Sequence, residues 1–564
     1  MSVADTPRAP GPDRAPGTGA APAASATAPA TADFTPSIYP LEPGAAAARL
    51  PGAHAAGGKG ASLLRLAALG LPVPAGFVIG TSLCGHYHAH GATLPQALRA
   101  PLAGALERLE TVTARRLGSH RRPLLVAVRS GAPASMPGML ETLLNVGLNE
   151  VTVGGLVRAT GNPRLAWDCY RRFVRAYAVV VHGCGGERFD ALVTAALAEH
   201  GLGAESELDT PTLRALTSAS QALFRALTGA PFPQDPRTQL DAAIAAVLRS
   251  WGSAHARAYR AAHAIDETPG TAVTVQAMVF GNAGPTSGAG VGFTRDPATG
   301  ARRLYVDFAQ NAQGEDVVAG RHAGAGGATL ARVLPAVDSA VAALAGTLEE
   351  AFHDMQDFEF TVQDGELYLL QTRAGKRTPL AALTIAVDLV DEGRLSPRDA
   401  LARLAGLDVE AITQDRFADD DGAILARATP AGIGVASGRI AFDADQAAAW
   451  AAAGDPVVLV RQEATTSDFA AMQLAAGILT VLGAKTSHAA VVARELGRVC
   501  LVGCEGLEID APGQACTLAG RRLRAGDQLA LDGNRGLVFA GPRAIVREAP
   551  AALIERVRGW RAAG

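Results

Sequence analysis

His488 follows Gly483-Ala484-Lys485-Thr486-Ser487 and precedes Ala489-Ala490-Val491-Val492-Ala493-Arg494. Hydroxyl residues before an apolar run mark a helix start, so Thr486 or Ser487 is the natural N-cap and His488 falls in the first turn. There the free N–H groups and the positive end of the helix favour a phosphoryl group on the ring. An imidazole near its reference pKa of ~6.5 is largely neutral at pH 7, and hence nucleophilic. A lone histidine at a helix start is also a common surface residue, so the reading depends on what else the chain carries.

Three other segments offer phosphate or metal chemistry. In Gly57-Gly58-Lys59-Gly60-Ala61-Ser62 a lysine among glycines can reach phosphate oxygens while backbone N–H groups line the rest. It is not a P-loop, because Ala53 and Gly60 replace the required glycine and hydroxyl residue; an ordinary turn fits as well. Arg129 follows a strand-like run and precedes small residues, with Met136 and Met139 around Pro137-Gly138. This suits an arginine gripping polyphosphate beneath a lid, or a packed turn with methionine as filler. Asp357 and Glu359 share one face of a strand, as Gln371 and Arg373 do on the next. Two carboxylates, a carboxamide and a guanidinium suit Mg²⁺ with nucleotide phosphates, since Mg²⁺ takes oxygen ligands; a surface cross-strand pair is the plainer alternative.

Positioning these groups takes several folded units. The chain has 564 residues, 48% of them hydrophobic and 19% charged, and a formal net charge of -3. That length implies about three or four units, and the charge gives no global field for nucleic acid or an anionic membrane. Six cysteines in 564 residues are too sparse for a disulfide framework. No apolar run of ~18 residues occurs, so a cytoplasmic enzyme is expected. Residues 1–36 are Ala/Pro/Thr-rich and read as a disordered tail.

Strand-like and helix-like segments alternate over 37–378, giving a multidomain α/β and α+β class. A short helix is expected at 63–69, strands at 77–79, 124–128 and 271–280, and a helix at 163–181. Strands at 357–360 and 367–371 pair through a turn at Asp364-Gly365. Residues 379–422 read as a helical connector, its second helix capped by Ser396 with Pro397 at the first position. Residues 423–541 read as a compact strand-rich unit with one clear helix, after His488. Residues 542–564 read as a polar helix.

Taken in order, these segments resemble the pyruvate phosphate dikinase family. The likeness is strongest over 128–147, 275–297, 311–320, 355–378 and 486–494, with the Arg-Ser-Gly-Ala-Pro…Ser-Met-Pro-Gly-Met form of the dikinase itself at 129–139. It implies an ATP-grasp nucleotide domain to about residue 378, followed by a swivelling β/β/α phosphohistidine domain. Lys59 and Arg129 would contact phosphates, with Gly138 in the lid. Glu359 and Gln371 would bind Mg²⁺–nucleotide beside Asp357 and Arg373, and strand 275–279 would back the adenine pocket. His488 would carry the phosphoryl group, supported by Thr486, Ser487 and Lys485. ATP would pass its β-phosphoryl group to the histidine and its γ-phosphoryl group to inorganic phosphate, leaving AMP and pyrophosphate.

Two departures are visible. Family members usually read Gly-Gly-Met before Thr-Ser-His, where this chain has Gly483-Ala484-Lys485. The family's C-terminal pyruvate-binding barrel, a unit of roughly 250 residues, is expected to be absent after Gly541. A separate acceptor-binding chain, a non-pyruvate acceptor, or a non-catalytic nucleotide-binding role are the readings that follow.

Overall fold

The computed structural model describes residues 34–44, 50–134, 136, 139–314, 326–419, 422–465, 468–483, 485, 487–510 and 512–563, with backbone alone at 326–329 and 488. The expected tail therefore lies almost wholly outside the described residues. So do Gly138, Thr486, Ala484 and the His488 side chain.

Two antiparallel sheets built from β-branched and aromatic residues form the first part of the chain. Ile38–Leu41, Gly76–Ile79, Ala272–Ala277, Val126–Gly131 and Thr142–Val146 lie side by side in that order. Six helices between Thr152 and Ala262 are inserted before this sheet is completed. The second sheet runs Glu366–Ala374, Gln356–Gln363, Gly288–Phe293, Tyr305–Gln310. Gly288, Gly290 and Gly292 face the rings of Phe308, Phe360 and Phe358; a Cβ on any of them would come within 2.4 Å of a ring atom. Close aromatic cover, a packing role, accounts for that glycine alternation. Just past the end of Gly288–Phe293, Arg295 is fully buried and held by Glu349 (2.9 Å) of the helix Pro335–Phe352 and by Glu392 (2.9 Å), the C-cap of the helix Pro379–Asp391.

The later part of the chain is an eight-stranded mixed sheet. Val435–Ala441, Val457–Arg461, Gly477–Thr480 and Val499–Val502 run parallel at its centre. Parallel neighbours need crossovers, and the helices Ala444–Ala452, Phe469–Leu474 and His488–Glu495 supply them. The expectation of one helix here is corrected to three: Ala444–Ala452 and Phe469–Leu474 are short and alanine-rich, which blurs their apolar period.

Two further expectations change. The glycine stretch at 57–60 lies inside a helix, Ala53–Ala68, kinked at Gly57 (φ 68°). The C-terminal segment begins as a strand, Ile545–Glu548, paired with Gln414–Phe417, before the helix Ala551–Ala563. Ile554 and Val557 of that helix pack on Leu383, Val387 and Leu404 of the helices Pro379–Asp391 and Pro397–Leu404. Ser396 caps the latter as expected, accepting from Asp399 N at 3.1 Å. No helix among the described residues is long and apolar enough to cross a membrane.

Candidate active site

The hairpin of Gln356–Gln363 and Glu366–Ala374 turns on Asp364 (φ 52°) and Gly365 (φ 83°). Two consecutive positive φ values are what the type I′ two-residue hairpin turn requires. The register that results sets Glu359 opposite Gln371 and Asp357 opposite Arg373. Asp357 is buried, and both its oxygens accept from Arg373 Nε, at 2.9 and 2.7 Å. Burial pushes its carboxyl up to about 6 in spite of Arg373. Asp357 is therefore committed to an ion pair, and Glu359 is the acidic group turned to the cleft. Glu359 Oε2 lies 3.5 Å from Arg129 Nη2.

Lys59 reaches this hairpin from a helix, where a loop was expected. Gly57 allows the kink, and a Cβ there would sit 1.7 Å from Gly131 O. Gly58 N donates to Ala132 O at 2.9 Å, closing helix and strand together. The backbone breaks from helical geometry at Gly57, and the Lys59 ammonium is the cationic group this stretch brings to the cleft. Burial first, then the Arg129 guanidinium, pulls that ammonium down to about 8. Arg129 stands within the strand Val126–Gly131, paired with Thr142 and Thr274 on either side.

Lys59, Arg129, Glu359, Gln371 and Arg373 line one cleft of about 910 Å³. Buried Met136 closes part of its wall. A second cavity of about 420 Å³ shares Arg129 and Glu359 with the first. Its walls include Leu144, Met278, Val291 and Phe360, with Gln276 and Gln313 as polar groups. The expected strand 275–279 thus contributes Gln276, Ala277, Met278 and Val279. Sequence reasoning missed Leu144, Val291 and Gln313; strand alternation could have flagged only the first two.

His488 begins the helix His488–Glu495, which follows the parallel strand Gly477–Thr480. Loops at the carboxyl ends of parallel strands are where α/β sheets place functional groups. Ser487 is the cap, its Oγ accepting from Ala490 N at 3.4 Å. Val491, one turn beyond His488, lines the same cleft as Lys59 and Glu359. The helix and the turn before it meet the two-sheet part of the chain at three more points. Lys485 Nζ donates to Asp296 Oδ2 at 2.8 Å, Lys376 pairs with Glu495, and the Arg494 guanidinium lies 5.5 Å from the Phe293 ring centre. Burial pulls Arg494 down to about 10. Among the described residues no group of three or more His, Cys, Asp or Glu side chains could hold a metal unaided.

Residues 91–324 match the family described as pyruvate phosphate dikinase, AMP/ATP-binding domain, a span that contains Arg129. Residues 453–536 match the family described as PEP-utilising enzyme, mobile domain, a span that contains His488. The chain is 41% identical to a pyruvate, phosphate dikinase of Clostridium symbiosum over 93% of its own length and 60% of the relative's. For the enzyme of the same name from Rhizobium meliloti (strain 1021) the values are 42%, 86% and 56%. For a chloroplastic form from Oryza sativa subsp. japonica they are 40%, 89% and 53%. The chain thus spans between half and three fifths of the length of these relatives. Two successive family matches and this level of identity lead to one assignment: the chain belongs to the pyruvate phosphate dikinase family.

Proposed function

We propose that this chain performs the phosphoenzyme-forming reaction of a dikinase: ATP and inorganic phosphate are converted to AMP and pyrophosphate while His488 acquires a phosphoryl group. The observation that carries the reading is the shared cleft. Lys59, Arg129, Glu359, Gln371 and Val491 of the His488 helix all line it, so phosphates held there lie beside the histidine-bearing turn.

In this reading adenine occupies the smaller, mostly apolar cavity, and the phosphates extend past Arg129 into the larger one. Lys59 and Arg129 bind and orient the non-bridging oxygens. A neutral imidazole nitrogen of His488 forms a bond to the β-phosphorus as the bond to the AMP oxygen breaks. An oxygen of inorganic phosphate then forms a bond to the γ-phosphorus as the β–γ bridge breaks. Pyrophosphate leaves, and the β-phosphoryl group remains on the ring. The helix N-terminus stabilises the charge of the phosphohistidine.

The donor set fits Mg²⁺. Glu359 and Gln371 offer a carboxylate and a carbonyl oxygen from facing positions, and this ion commonly completes its shell with phosphate oxygens and water. When bound it would neutralise phosphate charge near Glu359 and Gln371. Asp357 fixes Arg373 beside them. The onward acceptor, whether pyruvate or another molecule, and whether on this chain or on a partner, belongs to the second half of the reaction.

The test is phosphate dependence. With MgATP and purified chain, inorganic phosphate should stimulate AMP formation and pyrophosphate should accumulate with it. AMP formed equally well without phosphate, with only orthophosphate released, would assign the γ-phosphoryl group to water and refute the scheme.

A further inference from the structure

Asp296 and Lys485 form a buried ion pair between the nucleotide side and the turn that leads into His488. Their side chains are 7% and 6% exposed, and the Nζ–Oδ2 distance is 2.8 Å. Each partner is held rigidly by its own side. Asp296 Oδ1 accepts from Ala298 N (2.9 Å) and Thr299 N (3.1 Å), which fixes the turn between Gly288–Phe293 and Tyr305–Gln310 and leaves Oδ2 for the lysine. Arg303, exposed and 3.7 Å from Oδ2, is a weak competitor. On the other side the Lys485 carbonyl accepts from Arg494 Nη1 at 2.8 Å, and Arg494 also donates to Ala431 O. The Lys485 ammonium further lies 4.8 Å from the centre of the Tyr305 ring.

We infer that Lys485 is a positioning residue whose pairing with Asp296 sets the register in which the His488 turn docks on the nucleotide cleft. The inference rests on the reading of His488 as the phosphoryl carrier. Two charges that share a buried contact repay little of their desolvation, so such a pair adds modest net affinity. What it adds is specificity, because any slip of the turn leaves a buried carboxylate and a buried ammonium unpaired. Separation rehydrates both ions, so the contact can be remade and broken, as a carrier that visits two sites requires. Lys485 acts by placing the turn, and a misplacement of about 1 Å can cost roughly 10²-fold in rate.

The test compares Lys485→Met, Lys485→Arg and Asp296→Asn in the full chain. It measures phosphoenzyme formation from ATP labelled at the β-phosphate, and fluorescence transfer between dyes on exposed Glu199 and Arg521. Lys485→Met and Asp296→Asn should slow labelling at saturating MgATP at least tenfold, with nucleotide affinity unchanged within twofold and a smaller docked population. Lys485→Arg, which can still pair, should stay within about threefold of the wild type. Should Lys485→Met fail to fold, Asp296→Asn decides from the opposite side, since its remaining oxygen can still hold the turn. Wild-type labelling rates and an unshifted docked population in the Met and Asn variants would overturn the inference. If the wild-type chain takes no label, the carrier reading fails, and the docked population alone then decides for or against the pair.

Discussion

Glu359 and Gln371 face each other across adjacent antiparallel strands, with the Asp357–Arg373 ion pair two residues away on the same hairpin. The arrangement separates two carboxylates of one strand by role. Asp357 is buried and spent on a guanidinium, while Glu359 opens to the cleft beside Arg129.

If Glu359 supplies the oxygen that meets Mg²⁺–nucleotide, Glu359→Gln removes charge without changing shape. Phosphoenzyme formation should fall by roughly 10²–10³-fold, the usual cost of one preorganised electrostatic contact. The Mg²⁺ concentration for half-maximal rate should rise. An unchanged Mg²⁺ dependence would take Glu359 out of the metal site.

Lys59 gives a pH signature. Its ammonium is pulled down to about 8, so it is charged below that pH and neutral above it. ATP affinity of the free protein should fall above about pH 8, approaching tenfold per pH unit if only the protonated form binds. Lys59→Met should bind weakly and show no such inflection. Isothermal titration between pH 7 and 9.5 measures both; an identical slope in the variant would assign the inflection elsewhere.

Gly57 links sequence to site through backbone geometry. At φ 68°, with Gly131 O 1.7 Å from a built Cβ, alanine meets both strain and a clash that side-chain rotation cannot relieve. Gly57→Ala should cost about 2–4 kcal/mol in denaturant unfolding and weaken ATP binding by shifting Lys59. Gly70→Ala, which has a similar φ (72°) but open space around it, should cost less.

The hairpin and its four polar residues were legible in the sequence because period-two alternation and an Asp-Gly turn fix register by local rules. A helix start at Thr486 or Ser487 was legible from hydroxyl residues ahead of an apolar run, and Ser487 is the one that caps. The helical setting of Lys59 was hidden, since four glycines among residues 52–60 read as a loop; Gly52 is the extended N-cap, and the close approach of Gly57 and Gly58 to Gly131 and Ala132 accompanies the kink that Lys59 follows. Nor could local patterns find Asp296 as the partner of Lys485, 189 positions away, or the burial of Arg295 among acidic residues from two helices. The two short helices before Gly477 carry too little apolar contrast to stand out.

In the proposed reaction His488 receives the β-phosphoryl group of ATP. The direct measurement is incubation of the chain and of its His488→Ala variant with Mg²⁺, inorganic phosphate and ATP labelled at the β-phosphate, followed by acid and base treatment of the protein. A base-stable, acid-labile label is expected on the wild type and none on the variant, which should bind ATP with wild-type affinity because Lys59, Arg129, Glu359 and Gln371 lie on other elements. Equal labelling of the two proteins, or a label that survives acid, would contradict it.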